Sequence, residues 1–305
     1  MKTRNKYTAL LLLLVSMLIA CGPSYEESRR IGKAEKDRLR REDSLALKVG
    51  VLPTLDCLPF YVAKEYCLFD SLKADIRLKT YSKQIDCDEA LLHNQVEFSV
   101  TDLVKTEHLK RSGVAIGYLT ATNAYWQLVA RRMARIKQLS QLKDKMIAMN
   151  RYSAADYLAD LAIKRSKLKS DEVFKVQIND MNIRLRMLIN NEMDAMLLTE
   201  PQATTARLHH ANILLDTRDE ALRLGVIAYL PKVLADKRRK QQRQVLEQGY
   251  NAACDSINKY GLNHYADLIV KYCHVDAKTA KSLPKLKFEH IASPKMADIK
   301  AAQAY

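Results

Sequence analysis

Glycine is scarce. Eight are spread through 305 residues, so the glycine-rich loops that cradle phosphates are not expected. Paired-cysteine motifs are missing too. After Cys21 the cysteines are Cys57, Cys67, Cys87, Cys254 and Cys273. None forms a CxxC pair, and none stands near histidine at metal-ligand spacing. Their number is odd, so at least one thiol stays unpaired. Buried free thiols, behaving as small apolar residues, are the expectation; a disulfide between two of them stays open. Histidine is also sparse: His93, His108, His209, His210, His264, His274 and His290. None pairs with a cysteine or carboxylate at nucleophile or metal spacing, and the adjacent His209 and His210 point apart on a helix. No catalytic residue, metal site or cofactor is therefore expected. The apolar run from Ala9 to Ala20 is too short for a bilayer span, which takes about 20 residues.

What is present is a sizeable hydrophobic fraction, 48%, in a chain long enough for about two domains. The formal net charge is +15, which suits nucleic acid, anionic lipid or an anionic solute. The N-terminus chooses among these. Lys2, Arg4 and Lys6 precede an apolar stretch broken only by Ser16, the n-region and h-region of a secretory signal. Leu18-Ile19-Ala20-Cys21-Gly22 follows and resembles a bacterial lipobox. That resemblance implies a signal peptide over 1–20, cleavage before Cys21 and lipidation of Cys21, which anchors the protein to a membrane in the cell envelope. Gly22 gives no inner-membrane retention signal of the aspartate kind, and which membrane holds the anchor stays open. Export removes nucleic acid from the partners. Residues 21–46 are polar and of mixed charge, with little to bury, and read as a tether.

The rest of the chain is organised around 48–69. Val49–Leu52 is a short apolar run of strand length, and Pro53 ends it. Thr54-Leu55-Asp56-Cys57 forms a loop, and Pro59 suits the first turn of a helix, along which Phe60, Ala63, Lys64 and Cys67 recur at helical spacing. In an open α/β sheet such a loop lies where ligands bind, with unpaired helix N–H groups ready for an anion. The alternation continues with strands over 75–81, 96–100 and 114–119 and helices between them, which indicates a largely parallel sheet. Residues 123–131 read as a passage into a second unit. Strands over 146–149, 173–178, 194–198 and 213–215 then alternate with helices, Ser153 capping the first. The pattern occurs twice. A strand at 225–229, a long helix to Tyr260 and an extended return over 282–290 complete the chain.

Several stretches, in this order, resemble the solute-binding proteins of ABC importers, in the branch that handles sulfonates, nitrate, taurine and the thiamine pyrimidine precursor. They are Val49-Gly50-Val51 with Pro59, Ala63-Lys64-Glu65 and Leu68-Phe69; Asn94 to Phe98; Leu139 to Ile147, like the family's DLKGKxI; Asn191 to Ala195 with Glu200-Pro201; and Leu283-Pro284-Lys285 to Phe288. Cys67, Asn94 and Asp144 stand where the family has glycine. The resemblance implies an α/β, two-lobed periplasmic-binding-protein type 2 fold with a hinge. Residues 47–122 and 224–305 would form one lobe, and 123–223 the other. It implies a monomer that captures a small solute (a sulfonate, a nitrate-like anion or a pyrimidine) and delivers it to an ABC permease.

The candidate ligand-binding residues lie in loops at the carboxyl ends of strands: Thr54, Leu55, Asp56 and Cys57; Ser82; Thr101 and Asp102; Tyr152 and Ser153; Thr199 and Glu200. Phe60, Tyr61, Tyr125 and Trp126 are candidates for an apolar wall. Each of these also has a local reading, as a helix cap or as core. Asp56, Asp102 and Glu200 would suit a ligand with a cationic part, so the sign of the ligand is open. Two alternatives stand beside transport: a divergent enzyme of the same fold, and an anchored sensor or scaffold.

Overall fold

The computed structural model describes residues 25–70 and 73–305. The expected signal peptide and the lipidated Cys21 lie outside them. The chain divides into two units, 1–46 and 47–305. In the first, α1 (Tyr25–Leu45) covers most of the expected tether. Its glutamates, lysines, arginines and alanine are good helix formers, and Arg38 pairs with Glu35 at 2.7 Å and Glu42 at 3.8 Å, a turn away on either side. Among the described residues no helix is long and apolar enough to cross a membrane.

The second unit opens with β1 (Leu47–Val51), α2 (Leu58–Glu65), β2 (Ile76–Thr80), α3 (Gln84–Leu92), β3 (Phe98–Asp102), α4 (Leu103–Arg111) and β4 (Gly117–Ala121). The chain then crosses over. It continues through β5 (Trp126–Ala130), β6 (Lys145–Met149), α5 (Ala154–Arg165), β7 (Val173–Gln177), α6 (Met181–Ile189), β8 (Ala195–Thr199), α7 (Gln202–Leu208) and β9 (Asn212–Asp216). It returns through β10 (Gly225–Tyr229) to α8 (Lys237–Tyr260), α9 (Ala266–Cys273), α10 (Ala277–Lys281) and α11 (Met296–Gln303).

Two five-stranded sheets result, ordered β2-β1-β3-β10-β4 and β7-β6-β8-β5-β9. The orders are equivalent, with β6 in the place of β1 and β5 in that of β10. In each sheet that one crossover strand is antiparallel to its neighbours. Both carry a register shift at the same point, between Ile227 and Ala228 and between Leu128 and Val129. This is the two-lobed α/β architecture expected from the repeated pattern. The one strand missed is β5, read above only as a passage.

The sequence sets the elements locally. Pro59 sits in the first turn of α2, where its missing N–H costs nothing. Ser153 Oγ accepts the Ala155 N–H at the start of α5. Asp180 Oδ1 accepts the Asn182 and Ile183 N–H groups at the start of α6. In the first lobe, Val49, Phe98 and Ile227 pack on Phe60 and Tyr250, whose rings meet edge to face at 5.1 Å. In the second, Leu128, Ile147 and Leu197 pack on α5, while Val129, Ala148 and Leu198 pack on α6 and α7. Both faces are covered, which is why these strands are apolar runs and not alternating patterns.

Among the described residues two segments link the sheets, 122–125 and 217–224. They are held together at Gly225, whose carbonyl accepts the Thr122 N–H at 2.9 Å. A side chain there would strike Thr122 Oγ1 and Ala124 Cβ.

Cys67, Asn94 and Asp144 all have left-handed backbones, with φ of 52°, 56° and 59°, as glycine at these positions would. Cys57, Cys87, Cys254 and Cys273 are buried free thiols; Cys67 is exposed, against the expectation of burial. It ends α2 in a Schellman turn, with Leu68 N–H on Ala63 O at 2.8 Å and Cys67 N–H on Lys64 O at 3.3 Å. Cys67→Gly is therefore expected to stabilise the protein by about 0.5–1 kcal/mol, the relief of a Cβ in this conformation less glycine's extra chain entropy. The check is the midpoint of denaturant unfolding; a lower midpoint would contradict it.

Candidate functional site

A cleft opens between the sheets at the carboxyl ends of β1, β2, β3, β6, β7 and β8, where an open α/β sheet presents its ligand loops. Its walls include Pro53, Thr54 and Asp56 after β1, Ser82 and Gln84 after β2, Thr101 and Asp102 at the end of β3, and Trp126 at the first crossover. The second lobe contributes Asn150 and Ser153 after β6, Asn179, Met181 and Arg184 after β7, and Thr199 at the end of β8. The cleft encloses about 580 Å³ of non-atom space, its mouth included. That is room for a small solute only.

The lobes touch around this space. Leu55 N–H donates to Glu200 O at 2.8 Å, Gln202 Nε2 donates to Pro53 O at 2.9 Å, and Ala154 N–H donates to Asp102 Oδ1 at 3.0 Å. At the edge far from the crossovers, Lys83 after β2 and Asp180 before α6 pair as an isolated antiparallel bridge. The cleft is shut.

Arg184 dominates the electrostatics. It is 2% exposed, and its Nε and Nη1 have no hydrogen-bond partner among the described residues. Burial pushes the guanidinium down to about 10, although the Asp180 charge opposes this. A buried guanidinium with two open donors is costly, and it lines the cleft from α6. The first-lobe wall carries acids. Asp102 Oδ1 accepts from Lys105 N–H and from Ala154 N–H, so one carboxyl caps α4 and meets the start of α5 across the cleft. Burial nevertheless pushes it up to about 6, and it pushes Asp88, just behind, up to about 7. Thr101 is near enough to Asp88 to temper that shift, yet Thr101 Oγ1 and Asp88 Oδ2 make no hydrogen bond of good geometry among the described residues.

These raised acids fix a pH dependence. The folded state holds protons on Asp88 and Asp102 that the unfolded chain releases near pH 4. Stability from this source is complete below about pH 4 and is lost as pH rises through about 6 and 7. Glu65, Asp216 and Glu289 are held below the usual range and act in the opposite sense, in the acid region only. Melting temperature is expected to fall from pH 5.5 to pH 7.5, by less in Asp88→Asn. A flat or rising profile over that window would refute the assignment.

Of the residues expected to meet a ligand, Thr54, Asp56, Ser82, Thr101, Asp102, Ser153 and Thr199 line the cleft. Leu55 and Cys57 pack in the first core. Tyr152 lies outside, 51% exposed and stacked on His108. Glu200 is saturated by Tyr125, Arg207 and Thr204 in a smaller depression behind the cleft. Phe60 and Tyr61 are core and Tyr125 is buried, leaving Trp126 on the cleft wall. The residues missed are mostly amides (Gln84, Asn150, Asn179) and Arg184. Arg184 was detectable: it occupies an apolar stripe with Met181, Leu185 and Leu188, where a solvated arginine does not belong.

The model of one protein family, described as NMT1/THI5 like, matches residues 54–271. The chain belongs to this family. No curated protein matches it significantly in sequence. Among solved structures, the ligand-binding component of an ABC-type import system from Staphylococcus aureus aligns with a TM-score of 0.71 at 15% identity, covering 85% of this chain and 90% of that one. The periplasmic aliphatic sulphonate binding protein SsuA from Escherichia coli gives 0.67 at 17% identity, with 85% and 84% covered. The periplasmic nitrate-binding protein NrtA from Synechocystis PCC 6803 gives 0.68 at 10% identity, with 77% and 68% covered. At these identities the likeness is one of fold. The family and the fold agree with the resemblance drawn from the sequence.

Proposed function

We propose that this NMT1/THI5-like protein captures a small solute with an anionic group between its lobes and delivers it to an ABC importer, without chemical turnover. The observation that carries this is Arg184: a buried guanidinium with open donors, facing a cleft built from the strand ends of both sheets. An anion there would take up Nε and Nη1, and the reading is supported by the hydroxyls of Ser82 and Thr101 on the facing wall as further donors. The lobes in this reading are 47–122 with 224–305, and 123–223. They rotate about the two crossovers, and the Lys83–Asp180 bridge must part to admit the solute. The lipobox supports anchoring through Cys21 in the cell envelope, and the fold supports action as a monomer beside a permease.

The test is thermal stability with single solutes, since a ligand that binds only the folded form raises the melting temperature. Small sulfonates, nitrate and sulfate are expected to stabilise the protein, and uncharged analogues of the same size are not. A solute that stabilises only in uncharged or cationic form would overturn the anion assignment. Turnover of a bound solute would replace transport by catalysis.

A further inference from the structure

Behind the crossovers runs a second groove, wider than the cleft. It encloses about 1020 Å³ of non-atom space, open solvent included, against about 580 Å³ for the cleft. Tyr125 and Arg218 form one wall, and the segment 285–289 with Lys295 forms the other.

Sequence alternation sets the charge of that second wall. Leu286 and Phe288 turn into the first core, so Lys285, Lys287 and Glu289 are left exposed. The acids here already have partners. Glu289 is bonded by Arg223, with Nη2 to Oε1 at 2.8 Å. That bond above all, with Lys295 and Lys287 nearby, holds the Glu289 carboxyl below its usual range. Asp216 is bonded by Arg218, with Nη2 to Oδ2 at 2.6 Å. The same guanidinium lies 4.3 Å over the Tyr125 ring, which fixes it in place. Lys285, Lys287 and Lys295 have no ion pair of their own among the described residues.

We infer that this groove is a second binding site, distinct from the cleft, for a compact oxyanion bearing several negative charges, of the oligophosphate type. The three lysines line one concave space, and because Asp216 and Glu289 are each neutralised by an arginine, the lysines' positive charge is left in excess there. A concave wall suits a compact ion better than a flat bilayer surface.

Sodium tripolyphosphate, titrated calorimetrically into the full chain in 0.15 M KCl, tests this. Long-range attraction is screened at that salt, where the Debye length is about 8 Å. One equivalent is expected to bind. Replacing Lys285, Lys287 and Lys295 together by alanine should weaken binding at least tenfold with little change in melting temperature, because all three are exposed. Arg184→Met, in the cleft, should leave it unchanged. Absence of binding, binding indifferent to the lysines, or binding lost only with Arg184→Met would each overturn the inference. Because Arg184→Met separates the two sites, a failure here is distinguishable from a failure of the transport reading. Attachment to phosphatidylglycerol vesicles without tripolyphosphate binding would also overturn it, in favour of a lipid surface.

Discussion

Arg184→Met is expected to weaken capture of an anionic solute by at least roughly 30-fold and, at the same time, to make the protein itself more stable. The two effects share one cause. In the cleft the guanidinium is buried, with Nε and Nη1 unbonded among the described residues. A buried charge of this kind costs several kcal/mol. Methionine is of similar length, apolar and adaptable, and sits naturally between Met181, Leu185 and Leu188 on α6. A gain of about 1–3 kcal/mol in stability is expected, which at about 2–4 °C per kcal/mol is a rise of several degrees. Binding should move the other way. Removing one partner of a buried charge pair costs about 2–5 kcal/mol, a loss of roughly 30-fold to several thousand-fold in affinity. Thermal melts and calorimetry on the same preparation check both. A variant that loses stability and keeps its affinity would show that Arg184 is a structural residue whose partners come from elsewhere, and the anion reading would fall with it.

Much of the fold was legible because its signals are local. Pro53 and Pro59 bracket the first loop, Ser153 caps α5, and Gly225–Tyr229 is an apolar run between a glycine and a proline-stopped turn. The repeat of strand and helix then implied two lobes. The strand β5 was missed because Trp126–Ala130 sits between loop-like residues, and only its pairing with β8 and β9 makes it a strand. The loops at strand ends gave the backbone of the cleft, since position along a parallel strand decides which residues can face a ligand. Direction within a loop is set by packing, and that was not legible. Thr54 and Asp56 line the cleft while Leu55 and Cys57, between and beside them, fill the core. Tyr152 and Ser153 are neighbours in sequence, yet the left-handed backbone at Tyr152, φ 54°, sends the chain past the cleft before Ser153 returns to it. The three residues in glycine-like turns, Cys67, Asn94 and Asp144, matched the family pattern in conformation while departing from it in chemistry.

Glu200→Ala is expected to be among the most destabilising single substitutions in the protein, with a smaller effect from Glu200→Gln. The side chain is 3% exposed and four groups donate to it. Tyr125 Oη and Arg207 Nη2 reach Oε1 at 2.9 and 2.6 Å, and the Thr204 N–H and Oγ1 reach Oε2 at 2.9 and 2.7 Å. Its carbonyl also accepts the Leu55 N–H from the other lobe. Alanine would strip four donors of one acceptor and leave Arg207, half-buried, without its counter-charge. Breaking such a pair costs about 3–5 kcal/mol, roughly 6–20 °C in melting temperature for a unit of this size. Glutamine keeps the shape and one acceptor oxygen, so two of the four donors keep their acceptor and the cost should be about half. The comparison also decides what Glu200 is for. As the keystone of a network behind the cleft, it should affect stability far more than solute affinity, and Glu200→Gln should bind within about tenfold of the native protein. As a carboxylate that meets the ligand directly, which its place at the end of β8 suggests in sequence, it would do the reverse: melting would hardly change and affinity would collapse. Measuring both quantities on Glu200→Gln separates the two roles, and the four saturated contacts favour the first.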